Sequence, residues 1–315
     1  MHVPDGFLAA PVAAGTWLAA GAVLAGGLAA ARRRADASPA TMLGALAAFV
    51  FAAQMINVPV APGTSGHLVG ATLAALLVGP GRGMLVMAVV LVIQAVLFQD
   101  GGITALGANF LDMGAAGCLV GWGLAELIGG RGGSPRARLA GAVVGAFAAT
   151  LVGATLVALW LALSGLYPLR GILPLMLVTH AAIGVLEAAL TGAVLAALLR
   201  WRPDLVEAGV AGPAAERRLA GAATLAGLAL LLAAFAAPFA SSLPDGLETV
   251  AYRLGFAARE RTVLPAPLPD YRLPALARHA ALATAAAGLV GTILAGGLAW
   301  VLGRGLPGGG GRVHR

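Results

Sequence analysis

Apolar stretches recur along the chain at about 9–31, 40–58, 84–99, 107–129, 138–164, 171–200, 219–240 and 279–303. Most reach the roughly 20 residues a helix needs to cross a bilayer, so the pattern predicts an all-α polytopic membrane protein. A further block, 67–79, is too short to cross unless it tilts or is buried by its neighbours. It is counted as a span because the loop charges then agree.

The basic residues test that count. With the first terminus outside, fourteen of the twenty arginines fall on inside segments, from Arg32, Arg33, Arg34 and Arg82 to Arg304, Arg312 and Arg315. The short outside loops hold only Arg170. The other five lie in or border 241–278, and long translocated loops are exempt from the positive-inside rule. Removing the short block would put the arginine-rich loops outside. The expectation is nine spans, N-terminus out and C-terminus in.

Composition supports lipid as the solvent. Hydrophobic residues make up 60%, charged residues 10%, and the mean hydropathy is +0.92, where a soluble domain carries about 25% charged residues. The net charge of +7 is spread between apolar blocks. Nucleic-acid binding would need a clustered basic face on a solvated domain, so none is expected. Cys118 is the single cysteine, which excludes a disulfide within the chain and a cysteine-based zinc site. The first residues, MHVPDGFLAAPV, place Pro4, Asp5 and Gly6 where a signal peptide carries basic residues. No cleavage is expected there. The location implied is a bacterial inner membrane.

Residues 201–218, rich in charge with Pro and Gly, read as a cytoplasmic linker between a module at 1–200 and a two-span module at 219–315. The outer loop 241–278 carries Pro244, Pro265, Pro267, Pro269 and Pro274, which disfavour regular structure over its second half. The tail GLPGGGGR reads as a flexible end.

The candidate chemistry sits on the outer face. A free α-amine followed by His2 is a chelate by construction: the amine, the His2 amide nitrogen and the His2 imidazole close small fused rings on one ion. A second imidazole, such as His67, completes four nitrogens. Four coplanar nitrogens suit Ni2+ or Cu2+, whereas Zn2+ prefers a tetrahedron. The amide must lose its proton, so affinity should fall in acid. Simpler readings stand beside this one. His2 is a solvated terminal side chain, His67 opens a helix capped by Ser65 or Thr64, and the glycines of 101–107 are tight turns. Polar residues within apolar spans point to function or to helix ties. Asn57, Gln94 and Asn109 lie toward the outer ends as possible support for metal ligands, and His180 and Glu187 share a helix face. For Gln94 and Glu187 the helix-tie reading is preferred.

Four blocks in order now resemble a known family. MHVPDGFL, PGTSGHLVGATLAALLVGP at 62–80, QDGGITALGANFLDM at 99–113 and VTHAAIGVLEAALTG at 178–192 resemble the CbiM/NikM type, the substrate-binding membrane subunit of energy-coupling-factor transporters for nickel and cobalt. The resemblance implies a seven-helix metal-binding module over 1–200. It also implies metal ligands at Met1, His2 and His67, with Asn57, Thr64, Ser65, Asn109 and His180 as outer support. SSLPDGLETVA at 241–251 resembles the CbiN/NikN-type accessory subunit. There Asp245 and Glu248 either attract cations or simply begin a helix. The implied cargo is Ni2+, with cobalt as the alternative. The implied partners are a CbiQ/NikQ-type coupling subunit and two CbiO/NikO-type ATPase subunits. The chain contains no lysine, so it has no P-loop and should bind no ATP.

Two rival classes are weaker. An ion-coupled secondary transporter would want acids along a path and symmetric halves, and only Asp112, Glu126 and Glu187 qualify. A membrane enzyme would need a nucleophile or acid–base pair in a cleft, and none is apparent.

Overall fold

A computed structural model describes residues 1–33, 40–130, 133–206 and 215–306. Arg34, Arg131, Arg312 and Arg315, the centre of the 201–218 linker and the tail beyond 306 lie outside the described residues.

The chain folds as α1 (Ala10–Arg32), α2 (Ala40–Gln54), a hairpin of β1 (Val58–Ala61) and β2 (Thr64–Gly66), α3 (Ala71–Val78), α4 (Pro80–Phe98), α5 (Leu106–Gly129), α6 (Pro135–Leu163), α7 (Leu169–Trp201), α8 (Leu219–Phe239), α9 (Gly246–Leu254) and α10 (Ala280–Arg304). Seven of these helices, α1, α4 to α8 and α10, are long and apolar enough to cross a membrane. Leu18, Leu127, Val178 and Phe239 stand exposed on them, as apolar side chains facing lipid do. The protein is a multi-pass membrane protein.

The two shorter apolar helices differ in character. At about 1.5 Å per residue, α2 falls short of a ~30 Å hydrocarbon core, and it is buried along nearly its whole length, with α4, α8 and α10 against it. The helices that follow the linker therefore pack directly on a helix that precedes it. The eight-residue α3 is also buried on almost every side. His67 before it and Gln94 near the end of α4 both lie against His2. Residues 67–79 thus cover the depth that α4 retraces, partly in non-helical backbone. Such backbone is tolerated at membrane depth only when protein surrounds it.

Close approach makes that burial possible. A Cβ on Gly121 of α5 would lie 2.0 Å from the Thr72 hydroxyl of α3, and one on Gly81 of α4 would lie 2.1 Å from the Gly27 carbonyl of α1. Any side chain there would push the helices apart.

Ser65 and Thr64 do not cap a helix, contrary to the sequence expectation. They sit in β2. Ser65 donates to the carbonyls of Pro244 (2.9 Å, from N) and Leu243 (2.7 Å, from Oγ), and Thr64 meets Thr249 at 3.1 Å. The start of α3 is served by Glu187 of α7, whose carboxylate accepts from the amides of Val69 and Gly70. Glu187 is thus a tie between helices, as expected. The second half of 241–278 is irregular apart from short 3-10 turns, in keeping with its prolines.

Candidate metal centre

The first residues are buried rather than solvated: Met1, His2, Val3, Asp5 and Phe7 all lie inside the protein. The loop between α4 and α5 holds them. Asn109 brackets Val3, accepting from its amide at 2.7 Å and donating to its carbonyl at 3.1 Å, while the Gly102 amide donates to the same carbonyl. Thr104 donates twice to the Asp5 carboxylate. The glycines of this loop have a reason beyond turning the chain. A Cβ on Gly102 would lie 2.3 Å from the Asp5 amide nitrogen. Gly6, at φ 93°, makes the turn back toward α1.

His2 enters a polar cavity of about 220 Å3, lined among others by Gln54, Asn57, His67, Asp100 and Asp245. Its Nε2 is 3.2 Å from Gln94 Oε1, and its Nδ1 is 3.1 Å from Asp100 Oδ1. The other oxygen of Asp100 accepts from the Tyr271 hydroxyl. His67 stacks beside His2, with ring centroids 5.6 Å apart and planes 29° from parallel. His67 Nδ1 faces the Leu68 carbonyl at 3.0 Å. A carbonyl only accepts, so Nδ1 carries the proton and Nε2 keeps its lone pair.

The Met1 amine meets the Asp245 carboxylate at 2.7 Å, an ion pair across 244 positions. Burial pulls the amine's pKa down, but the Asp245 charge and hydrogen bond outweigh it and hold the amine above its ordinary value of 8.0. Burial depresses His2 against the pull of Asp100. Asp245 is itself held below the usual carboxylate range: burial opposes this, and the ammonium prevails. The His2 imidazole therefore favours the neutral, ligating form, and the amine is the nitrogen that keeps its proton.

The sequence-derived residues separate into groups. Met1, His2 and His67 come together. Asn109 fixes the peptide just after His2, and Asn57 lines the cavity. Thr64 and Ser65 instead dock the hairpin onto the 243–249 segment. His180 lies one layer away: its Nδ1 contacts the Met176 carbonyl, and its Nε2 faces Gly246 beside Asp245. Asp245 and Glu248 form a capping box that begins α9, and Asp245 also pairs with the amine. Sequence reasoning missed Asp100 and Tyr271, and it marked Gln54 only as a polar residue within an apolar span. Gln94 does tie helices, through Gln54, but it also touches His2. Among the described residues, no three His, Cys, Asp or Glu side chains form a metal cluster. A centre here needs backbone nitrogen.

Comparison with known proteins supplies the context. Residues 2–205 match the family model described as CbiM, cobalt uptake substrate-specific transmembrane region, and residues 220–307 match the PDGLE domain. A provisionally named fused nickel transport protein NikMN of Archaeoglobus fulgidus is 38% identical over 96% of this chain and 98% of its own. The fused nickel transport protein NikMN of Rhodobacter capsulatus is 31% identical over 93% and 94%. A crystal structure described as a transition metal transporter superposes with a TM-score of 0.54 at 30% identity, covering 64% of this chain and 93% of that one.

Proposed function

The chain belongs to the CbiM family of cobalt-uptake substrate-specific transmembrane regions, and from that premise we propose that it captures Ni2+ at the outer face of a bacterial inner membrane for ATP-driven import. The ligands are the Met1 amine, the His2 amide nitrogen and imidazole, and the His67 imidazole. The observation that carries this reading is their convergence: two stacked imidazoles line one polar cavity, and the buried amine pairs with Asp245 in its wall. Metal–nitrogen bonds of about 2 Å bring both rings to one ion with small movements. Nine crossings with the N-terminus outside would place this cavity on the outer face. Nickel is preferred over cobalt because the two fused relatives that match nearly the whole chain are named for nickel, and planar nitrogen donors lean the same way.

The chain is the binding component and not an enzyme. ATP hydrolysis falls to two ATPase subunits acting through a membrane coupling subunit. The 1–200 module carries the ligands and the 219–315 module supplies the outer loop. That loop reaches the site at several points: Asp245 on the amine, Tyr271 on Asp100, and the Arg261 amide on the Asp5 carbonyl. Asp245 and Asp100 each sit against a nitrogen the ion needs, so both must yield as the ion enters.

Equilibrium binding to the purified protein tests the reading. One nickel per chain, with the absorption of a planar four-nitrogen centre, is expected; no nickel or cobalt bound would defeat it. The pH dependence has a definite sign. The amine binds only when deprotonated, so affinity should climb with pH through the amine's raised range. Asp245→Asn keeps a capping side chain for α9 but removes the charge that raises the amine. The pH of half-maximal nickel binding should then move down by about one unit or more. An unshifted curve would mean that Asp245 does not hold the amine.

A further inference from the structure

We propose that Gln54 and Gln94 are positioning residues that decide which ring nitrogen of His2 meets the ion, an inference that rests on the chelate described above. The reason begins with ring size. From the His2 amide nitrogen through Cα, Cβ and Cγ to Nδ1, an ion closes a six-membered ring. Nε2 lies on the far side of the imidazole and closes none. The chelate therefore requires Nδ1 free for the metal and the proton on Nε2.

A buried chain of hydrogen bonds imposes that arrangement. It starts at the main chain, where Gln54 donates from Nε2 to the Val69 carbonyl at 2.7 Å. A carbonyl accepts only, so the Gln54 amide cannot be turned over. Val69 is itself anchored, because its amide donates to Glu187 of α7. Gln54 then offers its oxygen to Gln94, which donates from Nε2 at 2.7 Å. Gln94 is left with its oxygen toward His2 Nε2 at 3.2 Å. An oxygen facing that nitrogen calls for a proton on it. Turning either amide over would set oxygen against oxygen or NH2 against NH2, where Gln54 and Gln94 are 2% and 0% exposed. Such buried mismatches are costly. Asp100 Oδ1, 3.1 Å from Nδ1, is a competing acceptor for the one ring proton, and the glutamine chain is what leaves the proton on Nε2 when the ion takes the place of Asp100 at Nδ1. Outer groups that fix a histidine's tautomer and ring orientation commonly carry about 10- to 100-fold in metal affinity.

This arrangement explains two glutamines inside apolar spans that helix tying alone would leave interchangeable. A tie between α2 and α4 needs only the Gln54–Gln94 bond. Orientation of His2 needs that bond to run in one direction.

Isotope labelling of histidine and nickel titration of the full-length protein test the proposal together. In metal-free Asp100→Leu protein at pH 8, where the competing acceptor is gone, the 15N shifts of His2 should show the proton on Nε2. Gln94→Leu should give mixed tautomers in that background and, introduced alone, a loss of about 10- to 100-fold in nickel affinity. Gln54→Leu, which leaves Gln94 in place but free to turn, should mix the tautomers in the same way. Gln94→Glu keeps an acceptor on Nε2 and should bind nickel more tightly than Gln94→Leu. A purely packing role predicts the reverse order, since an apolar side chain suits this buried position better than a carboxylate. His2 protonated on Nδ1 in Asp100→Leu protein, unchanged affinity in Gln94→Leu, or Gln94→Leu binding more tightly than Gln94→Glu would each overturn the proposal. Failure of the capture site itself would read differently: wild-type protein would bind no nickel, whatever the tautomer.

Discussion

Adding two residues ahead of Met1 is expected to abolish nickel and cobalt binding and to bring uptake to background. The extension converts the amine to a peptide nitrogen, which has no basic lone pair, and it removes the first of the two fused chelate rings. The loss should exceed the about 10- to 100-fold typical of changes outside the ligand shell. Geometry adds to the chemistry. The Met1 side is buried and its nitrogen is committed to Asp245 at 2.7 Å, so extra residues have no room without displacing that carboxylate. Proteolytic removal of the extension should restore binding. An extended protein that takes up nickel at the full rate would sink the chelate reading, because every other ligand would still be present.

His2→Ala and His67→Ala should each leave the purified protein without bound metal, and His279→Ala should bind as wild type does. His2 supplies an imidazole and orients its own amide, so its loss leaves the amine and one distant ring. His67 supplies the fourth nitrogen, and its replacement opens the plane to water. His279 is exposed at the start of α10 and lines neither the cavity nor the amine. Metal content per chain, measured after gel filtration, checks all three. Metal retained by His67→Ala with unchanged affinity would remove His67 from the ligand set and point to one of the carboxylates beside His2.

Much of the centre is legible in the residue order because a chelate is local. The amine, an amide and an imidazole lie within two residues, and bond lengths alone allow them to reach a common ion. The supporting contacts are not local. Asp100, two residues beyond the end of α4, has no feature in the sequence that marks it as the partner of His2. Gln94 carries the right polarity for a helix tie and does make one, but its second contact depends on where the N-terminal segment lies. Thr64 and Ser65 look like caps because they precede an apolar run. The chain instead pairs β1 with β2 and delays α3 to Ala71, and Glu187, more than a hundred positions away, holds the amides of Val69 and Gly70 just ahead of that helix.

Hydropathy and arginine placement by themselves determined that this chain lives in lipid and where most of its helices fall, since the cost of exposing backbone and charge to hydrocarbon acts on every segment alone. Covalent geometry by itself likewise lets the first two residues offer three nitrogens to one ion. Only the tertiary structure decided that Asp245 holds the amine, that Asp100 holds one nitrogen of His2, and that two buried glutamines orient the ring. Those contacts join segments whose distance along the chain carries no information about distance in space. Their direction is set by which buried donors and acceptors can be satisfied at once.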